Sequence, residues 1–199
     1  MTSHLQKLQP ELNIDQDDVL CVALAGLVHD IGHGPFSHMF EEFVERVDAK
    51  DRNSPLQRWE HERMSGEILE LLVKRNKIDV AAYMSSTTTT GEQQIAFVIQ
   101  LIKGLHDHEP WPANVGREED KRFLFDIVSC SRNGIDVDKL DYLARDAMAA
   151  FGSGKPLDID RIITSSRVIR RTKPEEPTKP EEVRDPWVSE ICYQMKVCY

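Results

Sequence analysis

The chain has 199 residues, 40% of them hydrophobic, which suffices for one core of ordinary size and makes a single domain the default expectation. The formal net charge of −9 argues against a surface that coats nucleic acid, although a local basic pocket can still bind phosphates, and no apolar run reaches membrane-spanning length. The four cysteines form no CxxC pair and follow no signal peptide, so we expect an intracellular, reducing compartment.

The first predicted element is a helix that ends at a histidine and an aspartate. Residues 1–14 are polar and contain a proline and an asparagine, so they are predicted to be a loop. Aspartates then favour a helix start, and residues 19–28 are apolar nearly all round, which predicts a buried helix. This helix would deliver His29 and Asp30 from the core into a cavity, a rigid way to hold metal ligands.

The next segment, from His29 to His38, contains three histidines and one aspartate within ten residues. Neutral imidazole and carboxylate are the ligand types that suit Zn, Mn and Fe(II), and the neighbouring His29 and Asp30 can meet one ion. Two glycines and a proline disfavour a continued helix, so the backbone is predicted to turn sharply after Asp30. The alternative interpretation is a set of ordinary polar side chains around a helix end.

Amphipathic spacing predicts further helices over residues 37–47, 57–77, 92–105 and 118–130. The expected apolar stripe of the first is Phe36, Met39, Phe40, Phe43 and Val44, and that of the second is Met64, Ile68, Leu71 and Leu72. The helix over 92–105 is expected to bury Ile95, Val98, Ile99 and Ile102. The polar segment 48–56 is predicted to be a loop, as is the hydroxyl-rich segment 85–91, which is assigned no catalytic role.

A second acidic motif runs from Asn133 to Asp146 and carries four aspartates within eleven residues. Helical spacing from Asp138 puts Lys139, Tyr142 and Asp146 on or near one side. Such a face offers a metal ligand, a cation for phosphate and further polar groups together. This helix is therefore the expected partner of the histidine segment.

The remainder of the chain carries weaker signals. Residues 151–156 are predicted to be a linker and residues 158–171 a short helix with a basic side. Residues 172–186 repeat a Pro/Glu pattern typical of disorder, and residues 187–199 alternate like a strand without an obvious partner within the chain. The predicted fold is all-α, a compact array of about six or seven helices with a short strand-like tail. The lack of strand–helix alternation and of a GxxxxGK[ST] loop argues against α/β and P-loop enzymes.

Three segments in a fixed order, Leu27–Phe40, Trp59–Glu62 and Arg132–Asp146, resemble the HD-domain deoxynucleoside triphosphate triphosphohydrolases. The resemblance implies a partial HD domain with that family's helical array over residues 15–171. It also implies metal-dependent hydrolysis of a deoxynucleoside triphosphate such as dGTP. Water would attack the α-phosphorus, and the products would be a deoxynucleoside and triphosphate.

The resemblance assigns the chemistry to two sets of side chains. The implied metal ligands are His29, Asp30 and Asp138. The implied catalytic histidines are His33, His38 and His61. These imidazoles would neutralise developing charge or donate a proton to the leaving sugar oxygen, and the first two would also bind substrate.

Further positions are matched to substrate and activator binding. Lys139 would hold phosphate, Tyr142 would contact the sugar, and Asp146 would accept a hydrogen bond from its 3′-hydroxyl. Arg161 matches a position that, in the family, helps bind an activating nucleotide between subunits. Glu41 stands where the family often has a shorter acid, and its role is left open.

The resemblance also implies cofactors and partners. The cofactor is a divalent metal (Zn, Fe or Mn), with Mg accompanying the nucleotide, and the activator is GTP or a deoxynucleotide. The family also implies assembly into a homo-oligomer when full length and residence in the nucleus. Nucleic acid and membrane are not indicated as partners. The family has a further histidine ligand upstream and further helices downstream of these residues, so we expect weakened hydrolysis. Two alternatives stay open: a catalytically weak nucleotide- or metal-binding module that associates with full-length relatives, and an HD phosphodiesterase or nucleotidase acting on monophosphates.

Overall fold

The computed structural model describes residues 1–48, 59–106, 109–152, 158–171 and 188–193, which are mostly helical. The helices are α1 (Thr2–Leu8), α2 (Gln16–Val28), α3 (His38–Asp48), α4 (His61–Arg75), α5 (Gly91–Lys103), α6 (Phe125–Val128), α7 (Val137–Phe151) and α8 (Ile159–Ser165). Short 3-10 helices cover Pro10–Leu12, Val80–Tyr83 and Glu119–Leu124. Strands β1 (Ser166–Arg171) and β2 (Val188–Tyr193) pair antiparallel. The predicted all-α array with a short C-terminal strand is confirmed.

The core is built around the packing of α2 against α5. Each helix begins at a capping box, in which the side chain of Asp15 or Thr90 accepts a hydrogen bond from an amide in the first turn. The predicted core residues of α5 are buried, namely Ile95, Val98, Ile99 and Ile102. Burial of each such side chain contributes about 1.5–3 kcal/mol. The two helices are thereby fixed side by side.

Buried charges hold the N-terminal end of α2. Asp18 is 1% exposed, and its carboxylate lies 3.1 Å from Arg117 Nε and 2.8 Å from Lys121 Nζ. The Arg117 guanidinium lies 4.4 Å from the centre of the Phe97 ring of α5. The adjacent Asp17 accepts hydrogen bonds from two backbone amides of the 85–91 segment. This network joins α2, α5 and the segment that precedes α6.

Two terminal segments differ from their predictions. The lead over residues 1–14 is not a loop, because Leu5 and Leu12 reach the core and their burial stabilises α1 and the 3-10 helix that follows. The predicted helix over 158–171 ends at Ser165, and the residues after it form β1. β-Branched Val168 favours a strand, and it is buried opposite Ile191 of β2. The C-terminal strand therefore does have a partner within the chain.

Other segments agree only in part. The predicted helix over 118–130 is a 3-10 helix over Glu119–Leu124 followed by α6. Helix α7 extends to Phe151, so it includes the start of the predicted linker. The proposed disordered segment 172–186 lies outside the described residues, as do most of the 48–56 loop and of the 151–156 linker.

The apolar stripes of α3 and α4 are less buried than predicted. Among the α3 side chains whose burial the structure describes, only Val44 is buried, whereas Phe43 is 57% exposed and Met39 is 71% exposed. Helix α4 instead buries Leu69 together with the small Ser65 and Gly66, and Gly66 allows a close approach to Ile99 of α5. Leu71 and Leu72 consequently face away from the core and are exposed. Helix α2 is likewise not buried all round, since Leu27 is 78% exposed.

The buried ion network generates a stability prediction. Asp18→Ala leaves Arg117 and Lys121 without their shared carboxylate, and we expect it to lower the free energy of unfolding by about 3–5 kcal/mol. Urea unfolding followed by circular dichroism measures this change. The exposed Asp120 supplies the control, Asp120→Ala. A loss below about 1 kcal/mol for Asp18→Ala, as exposed pairs give, would contradict the structural role.

Candidate active site

The histidine segment begins where α2 ends. His29 terminates the helix, and the amides of Ile31 and His33 bond back to the carbonyls of Val28 and Asp30 in successive turns. The predicted sharp turn after Asp30 is therefore present. The reversal continues through Phe36, which has a positive φ of 68°. This path brings the second and third histidines of the segment back beside α4.

Three ligand-type atoms converge at the end of α2. His29 Nδ1 donates a hydrogen bond to the Gly26 carbonyl oxygen at 2.8 Å, which leaves Nε2 as the ring nitrogen that can bind an ion. His29 Nε2 is buried without a hydrogen-bond partner in the described structure, and it lies 3.2 Å from Asp30 Oδ1 and 3.5 Å from Asp138 Oδ1. One nitrogen and two carboxylate oxygens thus lie within 4.8 Å of one another. Such an arrangement is complementary to a cation, and the residues fit a divalent metal ion.

The turn before α7 places Asp138. Asp136 caps this helix, and its carboxylate accepts hydrogen bonds from the amides of Lys139, at 3.0 Å, and Cys130, at 3.1 Å. The Asn133 side chain accepts a hydrogen bond from the Ile135 amide within the same turn. Asp138 therefore lies in the first turn of α7 and faces the end of α2.

Three imidazoles form a cluster beside the three candidate metal ligands. The rings of His33 and His61 stack with their centres 4.0 Å apart, and His38 meets both rings edge-on. The cluster contacts the ligand set directly, because His33 Nε2 lies 3.4 Å from Asp30 Oδ1. Segments that are distant in sequence therefore meet as one site.

Glu41 joins two of these imidazoles, a role that the sequence left open. One carboxylate oxygen lies 2.6 Å from His61 Nδ1 and also accepts from the His61 amide, and the other lies 3.1 Å from His38 Nδ1. Glu41 follows His38 by three residues on α3, and that helical spacing was the available signal. The bond to His61, twenty residues away, had no signal in the sequence.

The environment shifts the pKa values of two of these groups. Burial tends to raise the pKa of Glu41, but hydrogen bonds from His38 and His61 outweigh it and leave the pKa below its usual range. Burial, reinforced by the charge of neighbouring His61, lowers the pKa of His33. Glu41 is therefore a carboxylate near neutral pH, and His33 is mostly neutral.

The other predicted site residues lie apart from this cluster. Tyr142 and Asp146 follow Asp138 by one and two turns of α7, or about 6 and 12 Å along its axis. Lys139 Nζ lies over the turn at Gly134. Arg161 is exposed in the first turn of α8. Within the described residues, none of these four side chains forms a hydrogen bond with the histidine cluster or with the candidate metal ligands.

A cavity of about 260 Å³ lies elsewhere, beside the N-terminal ends of α2 and α5. The charged groups at its base belong to the Asp18 network and already bind one another. The candidate active site is instead open, because the His38 side chain is 76% exposed and that of Asp30 is 54% exposed. We therefore assign the chemistry to the open site and a structural role to the groups around the cavity.

Comparison with known proteins identifies the family of the chain. Residues 1–146 match the family model described as HD domain, and the chain belongs to the HD domain family. It is 43% identical over 172 residues to the deoxynucleoside triphosphate triphosphohydrolase SAMHD1 of Gallus gallus, an alignment that covers 84% of this chain and 26% of the relative. The SAMHD1 of Homo sapiens is 42% identical over 169 residues, covering 82% of this chain and 25% of the relative.

A SAMHD1 homolog of Dictyostelium discoideum is also similar, with 36% identity over 161 residues, 81% of this chain and 26% of the relative. The chain thus spans about a quarter of the length of these curated relatives. Among its described helices, none is both long and apolar enough to cross a membrane.

The convergent ligand atoms generate a prediction about metal content. We expect Asp138→Ala, and the double change His29→Ala with Asp30→Ala, to abolish metal retention while leaving the helix content intact, because these ligands lie at helix ends and outside the core. Elemental analysis with circular dichroism measures both properties. Asp146→Ala, an exposed aspartate on the same helix, is the matched control. Wild-type metal stoichiometry in both ligand mutants would refute the assignment.

Proposed function

We propose that this chain carries the metal-binding and proton-transfer centre of a deoxynucleoside triphosphate triphosphohydrolase. The observation that carries the proposal is the shared position of Asp30, whose Oδ1 lies 3.2 Å from His29 Nε2 in the ligand set and 3.4 Å from His33 Nε2 in the histidine cluster. A phosphate held at this point would contact both parts at once. The names of the related proteins support a deoxynucleoside triphosphate as the substrate.

In the proposal His29, Asp30 and Asp138 hold a divalent ion. When bound, an ion such as Zn, Fe or Mn supplies positive charge beside the phosphate oxygens and makes water more acidic. The three residues suit this task because their ligand atoms lie within 4.8 Å of one another. Mg is proposed to accompany the nucleotide.

The histidines move the protons. Water attacks the α-phosphorus and gives up a proton, the bond from phosphorus to the 5′-oxygen breaks, and the sugar oxygen takes up a proton as it leaves. Glu41 accepts the Nδ1 proton of His61 at 2.6 Å, so a protonated His61 directs its Nε2 proton away from Glu41 for donation. His33 and the exposed His38 are proposed to bind the phosphate oxygens.

The nucleotide is proposed to extend along α7. Lys139 would reach phosphate, Tyr142 would contact the sugar, and Asp146 would accept a hydrogen bond from the 3′-hydroxyl. The separation of about 12 Å between Asp138 and Asp146 suits a substrate that runs from phosphate to sugar. Arg161, exposed on α8, is proposed to bind an activating GTP or deoxynucleotide between the subunits of a homo-oligomer in the nucleus.

A second candidate is a nucleotide- and metal-binding module with weak catalysis. The openness of the site favours it, because His38 and Asp30 are both more than half exposed and water has free access to them. Exclusion of water strengthens the electrostatic interactions within an active site. A site this open can bind an ion and a nucleotide without supporting a high rate.

We expect purified protein with Mn²⁺ and dGTP to release triphosphate and deoxyguanosine, because the proposal places the attack at the α-phosphorus. Anion-exchange chromatography distinguishes triphosphate from phosphate and pyrophosphate. Binding of dGTP without turnover would support the second candidate. Hydrolysis of a deoxynucleoside monophosphate instead would contradict the proposal and indicate a phosphodiesterase or nucleotidase.

Glu41 provides a test of the proton-transfer role. We expect Glu41→Gln to lower the rate of triphosphate release by at least about tenfold at unchanged metal content, because the amide cannot accept from both histidines with the charge of a carboxylate. The neighbouring exposed Glu42, which pairs with Arg46, supplies the control Glu42→Gln. Equal rates for the two variants would exclude Glu41 from the mechanism.

A further inference from the structure

One fully buried hydroxyl contacts the backbone of the segment that carries two of the candidate metal ligands. Ser65 of α4 is 0% exposed and lies one turn after His61. Its Oγ accepts a hydrogen bond from the Gly32 amide at 2.9 Å and donates one to the His29 carbonyl. Both partners belong to the segment that carries the first ligands, so this hydroxyl links that segment to α4.

Gly32 makes this contact possible. A Cβ atom at this position would lie 2.3 Å from the His61 carbonyl oxygen and 2.4 Å from the Ser65 amide nitrogen, far inside contact distance. The backbone of the segment therefore rests directly on the first turn of α4. Any side chain at Gly32 would displace His29 relative to His61.

The Ser65 hydroxyl does not donate to the acceptor that is usual for a serine within a helix. A serine within a helix commonly donates to the carbonyl four residues earlier, which here is that of His61. Ser65 donates instead to His29, thirty-six residues away, at the end of α2, where carbonyls lack partners within the helix. The bond thus fixes the peptide between the two ligand residues His29 and Asp30.

We propose that Ser65 is a positioning residue, which fixes the metal ligands His29 and Asp30 relative to His61. This inference rests on the proposed function, because it assumes that the ligand set holds a divalent ion. Loss of a group that orients metal ligands typically costs about 10–100-fold in metal affinity. Ser65→Ala is expected to have an effect of that size.

The test compares three variants of the full chain with the wild type. Ser65→Ala removes the hydroxyl, and Ser65→Thr retains it. Ser166→Ala is the matched control, because Ser166 is also 0% exposed and donates to a backbone carbonyl, that of Ile163, outside the site. Competition of Co²⁺ against a chromophoric chelator measures affinity, and the visible absorption of bound Co²⁺ reports ligand geometry. Circular dichroism measures the folded fraction.

We expect Ser65→Ala to lose about 10–100-fold in Co²⁺ affinity with an altered absorption spectrum, and Ser65→Thr and Ser166→Ala to remain close to the wild type. Wild-type affinity and spectrum in folded Ser65→Ala would overturn the inference. Equal losses in folded Ser65→Ala and Ser65→Thr would also overturn it, because side-chain volume rather than the hydroxyl would then be responsible.

Hydrogen exchange in the wild type tests the bond without any substitution. The Gly32 amide is expected to be protected to the level of amides within α4, and exchange as fast as that of an exposed loop would overturn the inference. Failure of the metal assignment, on which both the proposed function and this inference depend, is distinguishable, because the wild type would then bind no Co²⁺. Binding by the wild type and equally by Ser65→Ala would instead leave the metal site standing and remove Ser65 from it.

Discussion

The placement of α2 is the constraint on which the candidate active site depends. Its N-terminal end is fixed by Asp18, which binds Arg117 and Lys121 at almost complete burial. Ions buried to this extent are stable only with their partners in place, so this end can neither slide nor rotate. A helix of 13 residues is about 20 Å long, and a rigid rod of that length determines where its other end delivers His29 and Asp30.

Three helix ends meet at the site, one of them C-terminal and two of them N-terminal. Helix α2 contributes its C-terminal end, where the carbonyl groups carry partial negative charge and favour a cation. Helices α4 and α7 contribute their N-terminal ends, which carry His61 and Asp138 in their first turns and favour an anion. A metal ion beside a phosphate group matches this combination. A ligand of a single sign would be favoured by only some of the three ends.

Features with a local cause could be predicted from the sequence. His29 and Asp30 are adjacent, and Asp138 heads an acidic helix, so their residue types alone indicated a metal site. The meeting of the acidic helix with the histidine segment was also expected, but other contacts between distant segments could not be predicted. Gln9 exchanges two hydrogen bonds with Val168, 159 residues away, and this contact helps to hold the β1 strand against the core. Ser65 gave no signal either, because a serine in a helix pattern does not indicate which distant carbonyl it will bind.

Burial divides the site into a rigid base and an exposed face. His29, His33 and His61 are at most 20% exposed in their side chains, and backbone carbonyls, Glu41 and the neighbouring rings hold them in place. Phe36, later in the histidine segment, and Asp146, on α7, are exposed. His29, the metal ligand on the base, is held before an ion arrives, so its placement costs little ordering entropy when the ion binds. A nucleotide must order the side chains of the exposed face as it binds, so its affinity depends more strongly on groups that cover this face.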